Sequence, residues 1–197
     1  MRFEPLAIQG AVRVHIEPHA DERGWFARVF CGREFEQQAH PVSLVQASLS
    51  FNTRAGTVRG LHFQWPPSQE SKLVRCVRGE LLDVLLDLRP DSPSYLQHLA
   101  LPLDAEHRQA LYVPFGVAHG FQTLIDATEV LYMMSDYYAP ALQAGVRWND
   151  PAFGISWPIA PIIQSERDRD LPPFDRYGFE RELQRRRAAA LAPAACA

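Results

Sequence analysis

Two short strings place histidines where their spacing suits proton chemistry. His62 lies in GTVRGLHFQWPPSQESK at residues 56–72, and His119 in PFGVAH at residues 114–119. On a β-strand alternate side chains point to one face, so His62 shares a face with Gln64. A borderline transition metal prefers imidazole, thiolate or carboxylate, and a neutral amide is a poor ligand. The pairing therefore favours His62 as a proton carrier over a metal ligand. Imidazole is the side-chain group whose protonation changes nearest neutral pH, which suits a residue that must both take up and release a proton.

The elements that must position these groups read as β-strands. Sixteen prolines and eleven glycines punctuate short apolar runs, the rhythm of an all-β sandwich or barrel. Strands are expected at 12–16, at 25–30 after the Asp21-Glu22-Arg23-Gly24 turn, and at 110–113, 118–124 and 129–136. Residues 72–77 and 81–88, joined by Arg78-Gly79-Glu80, read as a hairpin. In its second arm Leu82, Val84, Leu86 and Leu88 share one face. Asp83, Leu85 and Asp87 share the other, and two acids there mark a face that is not plain core. Residues 165–170 and 179–187 look helical, and 185–197, Arg-rich then Ala/Pro-rich, reads as a frayed tail.

With 197 residues, 47% hydrophobic, and neither repeat nor linker, the chain suits one well-filled domain. A net charge of -3 offers no basic excess to displace counterions, so nucleic acid is not an expected partner. No apolar run is long enough to span a bilayer, so a membrane is not expected either. Cys31, Cys76 and Cys196 are scattered and form no C-x-x-C pair. A disulfide framework or zinc site is not expected, and a reducing cytoplasm is the simplest home.

The PFGVAH string fits P-x-G-x-x-H, and so resembles the turn-then-strand signature of cupin β-barrels. In those barrels two histidines spaced i, i+2 normally supply further metal ligands; here the second position is Gln64, which implies a barrel without its metal. A fuller resemblance runs colinearly over about residues 1–175. Its strings are DERGWF at 21–26, SFNTRAGTVRGLHFQ at 50–64, KLVRCVRGELLDVLLDLR at 72–89, YVPFGVAHGFQTL at 112–124 and EVLYMMSDYYAP at 129–140. GVRWNDP at 145–151, GISWP at 154–158 and SERD at 165–168 complete the series. In that order they resemble the dTDP-4-dehydrorhamnose 3,5-epimerase family, which remodels nucleotide-linked 4-keto-6-deoxy sugars.

The resemblance implies an all-β cupin-type jelly-roll barrel with a few short helices over residues 1–175, followed by a helical or disordered tail at 176–197. It implies an isomerase that inverts C3, C5 or both on a nucleotide-diphosphate 4-keto-6-deoxyhexose through an enolate, with no cofactor and no metal. His62 resembles the family's base and Asp168 the carboxylate paired with it. Lys72 resembles the cation that stabilises the C4 enolate, and Tyr132 the acid on the opposite face. Arg23, Arg59 and Gln46 resemble ligands for nucleotide and phosphate, and Tyr138 a platform for the base. His119 and Asp83 are expected to form a supporting pair. The family is typically a homodimer in which Arg23 and Phe26 reach into the partner's site, and exchange of an N-terminal strand would cover a sheet edge.

The chain also departs from the family pattern. Arg28 stands where a base-reading Glu is usual, Ser48 where Asn is usual, and Ala141 and Gln143 where acids are common. Taken without the resemblance, Lys72 also fits a solvated strand end and Asp168 an exposed helix residue in a charge-rich stretch. Phe121, Tyr132, Tyr137 and Tyr138 also fit core and rim, and His15, His19, His40, His98 and His107 read as structural or surface groups. Two other functions compete: a nucleotide-sugar-binding module without catalysis, and a metal-dependent cupin enzyme. Retention of His62, Lys72, Tyr132 and Asp168 together argues against the first, and Gln64 against the second.

Overall fold

The structure is a computed structural model that describes residues 1–38, 40, 42–160 and 163–191. Its strands in chain order begin with β1 (Arg2–Pro5), β2 (Val12–His15), β3 (His19–Asp21) and β4 (Gly24–Phe26). After helix α1 (Gly32–Gln37) come β5 (Gln46–Asn52), β6 (Val58–Gln64), β7 (Lys72–Arg78), β8 (Glu80–Asp87) and β9 (His98–Asp104). The last strands are β10 (Ala110–Val113), β11 (Val117–Thr123), β12 (Thr128–Met134) and β13 (Gln143–Gly145), followed by α2 (Glu166–Arg169) and α3 (Arg176–Leu191).

Two antiparallel sheets make a jelly roll. One runs β1-β2-β10-β7-β12-β5 and the other β13-β6-β11-β8-β9, while β3 and β4 form a separate two-stranded ribbon. Between the sheets lies a core that includes Val74, Cys76, Leu81, Leu85, Phe121 and Val130. A second core, with Leu61, Phe63, Val84 and Leu86, backs the five-stranded sheet, and a third surrounds Phe35 of α1. Burying each such side chain is worth about 2 kcal/mol. A one-residue slip of β8 would exchange its two faces, so this pattern pins the register. The acids on β8 behave as the alternation implied: Asp83 and Asp87 are fully buried, each with hydrogen-bonded partners.

Three expectations need correction. The strands at 72–77 and 81–88 are not a hairpin, because β7 belongs to the six-stranded sheet and β8 to the five-stranded one. Gly79 carries the chain across at φ +82, and a Cβ there would collide with Thr128. Only glycine accepts both demands. The strand expected at 25–30 ends at Phe26, and α1, which no amphipathic period announced, follows a short connection. The tail is ordered helix as far as Leu191, where fraying was expected from 185. Phe179 packs on Phe63 and Trp65, and Leu183 is buried. Residues 192–197, Cys196 among them, lie outside the described residues. Among the described residues no helix is long and apolar enough to cross a membrane, and Cys31 and Cys76 are free thiols.

Candidate active site

The sheets part at one end around a cavity of about 530 Å³ lined by His62, Lys72, Arg59, His119, Tyr132 and Asp168 among others. Six residues from five distant strings thus meet in one space. His62 comes from β6 of the five-stranded sheet, whereas Lys72 and Tyr132 come from β7 and β12 of the six-stranded sheet. The imidazole and the phenol therefore stand on facing walls.

Asp168 is 4% exposed, which overturns its reading as a surface helix residue. Its backbone N–H donates to Ser165 Oγ at 3.1 Å, an N-cap that starts α2 and turns the aspartate inward. Asp168 Oδ1 lies 2.6 Å from His62 Nε2. Burial pushes the Asp168 carboxyl up, but the bond and charge of His62 outweigh this, helped by Ser165 and the Gly60 N–H. The net result is a carboxyl below its usual range. Gly145, opposite His62 on β13, leaves room for the ring, since a Cβ there would lie 3.2 Å from His62 Cδ2.

Behind this pair, His119 Nε2 lies 2.9 Å from Asp83 Oδ2, the supporting pair the sequence implied. Both groups are buried, and Asp83 Oδ1 has no hydrogen-bond partner among the described residues. The His119 ring meets Tyr132 edge to face at 5.7 Å. Burial, reinforced by the Asp83 charge and opposed by Arg59, pushes the Tyr132 phenol well above its usual range, so it stays protonated at neutral pH.

Lys72 is largely buried rather than a solvated strand end, and its ammonium pairs with Glu70. Arg59 donates from Nε to Asn52 Oδ1 at 2.7 Å. Sequence reasoning did not single out Glu70, Asn52 or Arg167, which also lines the cavity. Asn52 stood in the SFN string and Arg167 in SERD. Their roles as holders of other side chains left no mark of their own.

Gln64 is buried, and its amide is used locally: Oε1 accepts from Ala139 N–H at 3.2 Å and Nε2 donates to Tyr137 O at 3.4 Å. Among the described residues no group of three His, Cys, Asp or Glu side chains is placed to hold a metal. Tyr138 and Gln46 are not among the residues that line the cavity; the Tyr138 N–H donates to Gln46 Oε1 at 3.2 Å and its hydroxyl to Gln143. Gln143 also accepts from Arg167.

Arg23, Phe26 and Arg28 do not reach this cavity in their own chain. Arg23 pairs with Asp21 on the ribbon, Phe26 is 78% exposed, and Arg28 Nη1 donates to Glu34 Oε1 at 2.7 Å.

Residues 5–176 match the sequence profile of the dTDP-4-dehydrorhamnose 3,5-epimerase family. A Sinorhizobium fredii protein named dTDP-4-dehydrorhamnose 3,5-epimerase is 40% identical over 173 residues, 87% of this chain and 89% of its own. A Streptomyces niveus protein named dTDP-4-dehydrorhamnose 3-epimerase is 40% identical over 171 residues, 86% and 82% of the two chains. A crystal structure of the 3,5-epimerase from Bacillus anthracis, with TDP and pyrophosphate bound, superposes with a TM-score of 0.84 at 36% identity, covering 88% of this chain and 99% of that one. Fold, profile and identity agree: this chain is an epimerase on a cupin-type jelly roll and belongs to the dTDP-4-dehydrorhamnose 3,5-epimerase family.

Proposed function

We propose that the chain inverts C3, C5 or both on a nucleotide-diphosphate 4-keto-6-deoxyhexose, of the dTDP-4-dehydro-6-deoxyglucose type, by enolate chemistry within residues 1–175. The observation that carries this is the placement of imidazole and phenol on facing walls of one cavity. Inversion needs a base on one face of the sugar and an acid on the other, and two sheets supply them. The C4 ketone acidifies the neighbouring C–H groups. His62 takes the proton; with Nε2 engaged by Asp168, the basic lone pair lies on Nδ1. Asp168 fixes that tautomer and stabilises the imidazolium as it forms. Lys72 faces the oxyanion that develops at C4, where a preorganised charge in a dry site is worth several kcal/mol. Tyr132, held protonated, returns a proton from the opposite side.

Arg59 is the cavity's cation for the diphosphate, aided by Arg167, and Tyr138 with Gln46 forms the base platform at the edge. His119 and Asp83 set the wall behind Tyr132. The reaction uses no metal or cofactor, since the inner-face partner of His62 is an amide already committed to the 137–139 turn. The working unit is a homodimer: β5 is a sheet edge with exposed Leu49 and Phe51, and the ribbon, with Arg28 just past it, presents Arg23 and Phe26 outward to a partner's cavity. The free thiols of Cys31 and Cys76 suit a reducing cytoplasm. The test is NMR in D2O with dTDP-4-dehydro-6-deoxyglucose and its UDP and CDP counterparts. Deuterium should enter at C3 or C5 with inversion. Tight binding without exchange would instead favour a non-catalytic binding module.

A further inference from the structure

We propose that Gln64 is a positioning residue for the nucleotide end of the substrate, acting through the 137–139 turn on Tyr138. This rests on the reading of Tyr138 as the base platform. The amide spans the turn on both sides of Tyr138, accepting from Ala139 N–H at 3.2 Å and donating to Tyr137 O at 3.4 Å. The Gln64 side chain is 6% exposed, so it is held beneath a turn whose Tyr137 and Tyr138 side chains face outward. An apolar side chain at position 64 would take away the partner of the Ala139 N–H and of the Tyr137 carbonyl.

The anchor itself is held firmly. On the other face of β6, Phe63 and Trp65 flank Gln64 and pack against each other at 4.9 Å and against Phe179 of α3 at 5.9 and 4.9 Å. Directly across the sheet from Gln64 stands Gln143, which ties the Tyr138 hydroxyl to Arg167 on the cavity wall. Backbone and hydroxyl of Tyr138 are thus fixed from neighbouring positions on β6 and β13. The strand that carries the base at 62 carries, two residues on, the clamp for the platform. Proton transfer and nucleotide placement are set from one strand, by separate side chains.

The experiment is a double-mutant cycle on dTDP affinity by calorimetry, with the rate of solvent deuterium exchange at saturating nucleotide sugar measured in parallel. Gln64→Met keeps the volume and removes both hydrogen bonds. It should weaken dTDP binding about tenfold, the size expected for two lost bonds, and leave saturated exchange within about twofold. The amide of Ala139 should exchange with solvent faster. In a Tyr138→Ala background, Gln64→Met should cost little more. Should Gln64→Met not fold, Gln64→Asn, shorter by one methylene, carries the same prediction at smaller size. If Tyr138→Ala alone leaves affinity unchanged, the platform reading fails and the clamp with it. If Tyr138→Ala weakens binding and the two losses add in full, the clamp alone is overturned. A fall in saturated exchange with dTDP affinity intact would likewise assign Gln64 to the chemistry and overturn the proposal.

Discussion

The cavity wall and the β3–β4 ribbon handle their charged and aromatic side chains in opposite ways. In the wall, the imidazoles and the cations have partners within the same chain: His62 with Asp168, His119 with Asp83, Lys72 with Glu70, Arg59 with Asn52. On the ribbon, Phe26 is 78% exposed, Trp25 is 49% exposed, and Arg23 pairs with Asp21 of its own turn. A buried charge without a partner costs several kcal/mol, so the wall had to be completed internally before it could hold a substrate. An exposed Phe costs little by itself, and the ribbon can wait for a second copy. The contrast separates residues whose partners lie in their own chain from residues that only the proposed dimer would complete.

Short of removing the base His62 itself, the largest effect expected from breaking the wall is at Asp168. Asp168→Asn should lower kcat by about 10²- to 10⁴-fold, because the imidazolium loses its counter-charge and its tautomer is no longer fixed. The same carboxyl gives the wall a pH signature. Its native pKa is depressed, so its contribution to stability is fully present above the ordinary carboxylate value of about 4 and is lost as pH falls through the native value. In Asp168→Asn the acid limb of the unfolding profile should flatten. An unchanged limb would show that other carboxylates carry it.

Next in size is Tyr132→Phe. It should retain wash-out of substrate hydrogen through His62 while losing net inversion by about two orders of magnitude. Undiminished inversion would move the acid elsewhere, with Tyr138 or water the next candidates. The ribbon is tested by complementation. Arg23→Ala and His62→Asn should each be poorly active as pure dimers, and mixed subunits should recover about a quarter of wild-type activity if each site draws on both chains. No recovery would confine the site to one chain. The smallest effect is at Arg28, now seen paired with Glu34. A guanidinium offers only donors, so Arg28→Glu should strengthen preference for dTDP over UDP and CDP by a few-fold in calorimetry. Identical preferences would remove the residue from base reading.

The sequence made the barrel, six residues of the cavity and the double face of β8 readable, because strand alternation and the ordered strings carry them directly. It did not reveal which neighbouring strands pair. The step from β7 to β8 looks local in sequence, yet Gly79 sends the chain into the other sheet, and only tertiary contacts decide that. Helix α1 is six residues long, too short for a period, and is held by packing of Phe35. Asp168 looked exposed because its neighbours are charged; the Ser165 cap that turns it inward was present in SERD but says nothing about burial. The uses of Gln64 and Glu70 depend on which loop or cation lies within reach, and spacing does not encode that.

The central claim is that His62 and Asp168 act as one base across from Tyr132. The most direct test is the rate of solvent deuterium entry at C3 and C5 in wild type, His62→Asn, Asp168→Asn and the double variant. The account predicts loss of several orders of magnitude in His62→Asn, a severe loss in Asp168→Asn, and a double variant scarcely worse than His62→Asn. Losses that multiply in full, or exchange that survives His62→Asn, would contradict it.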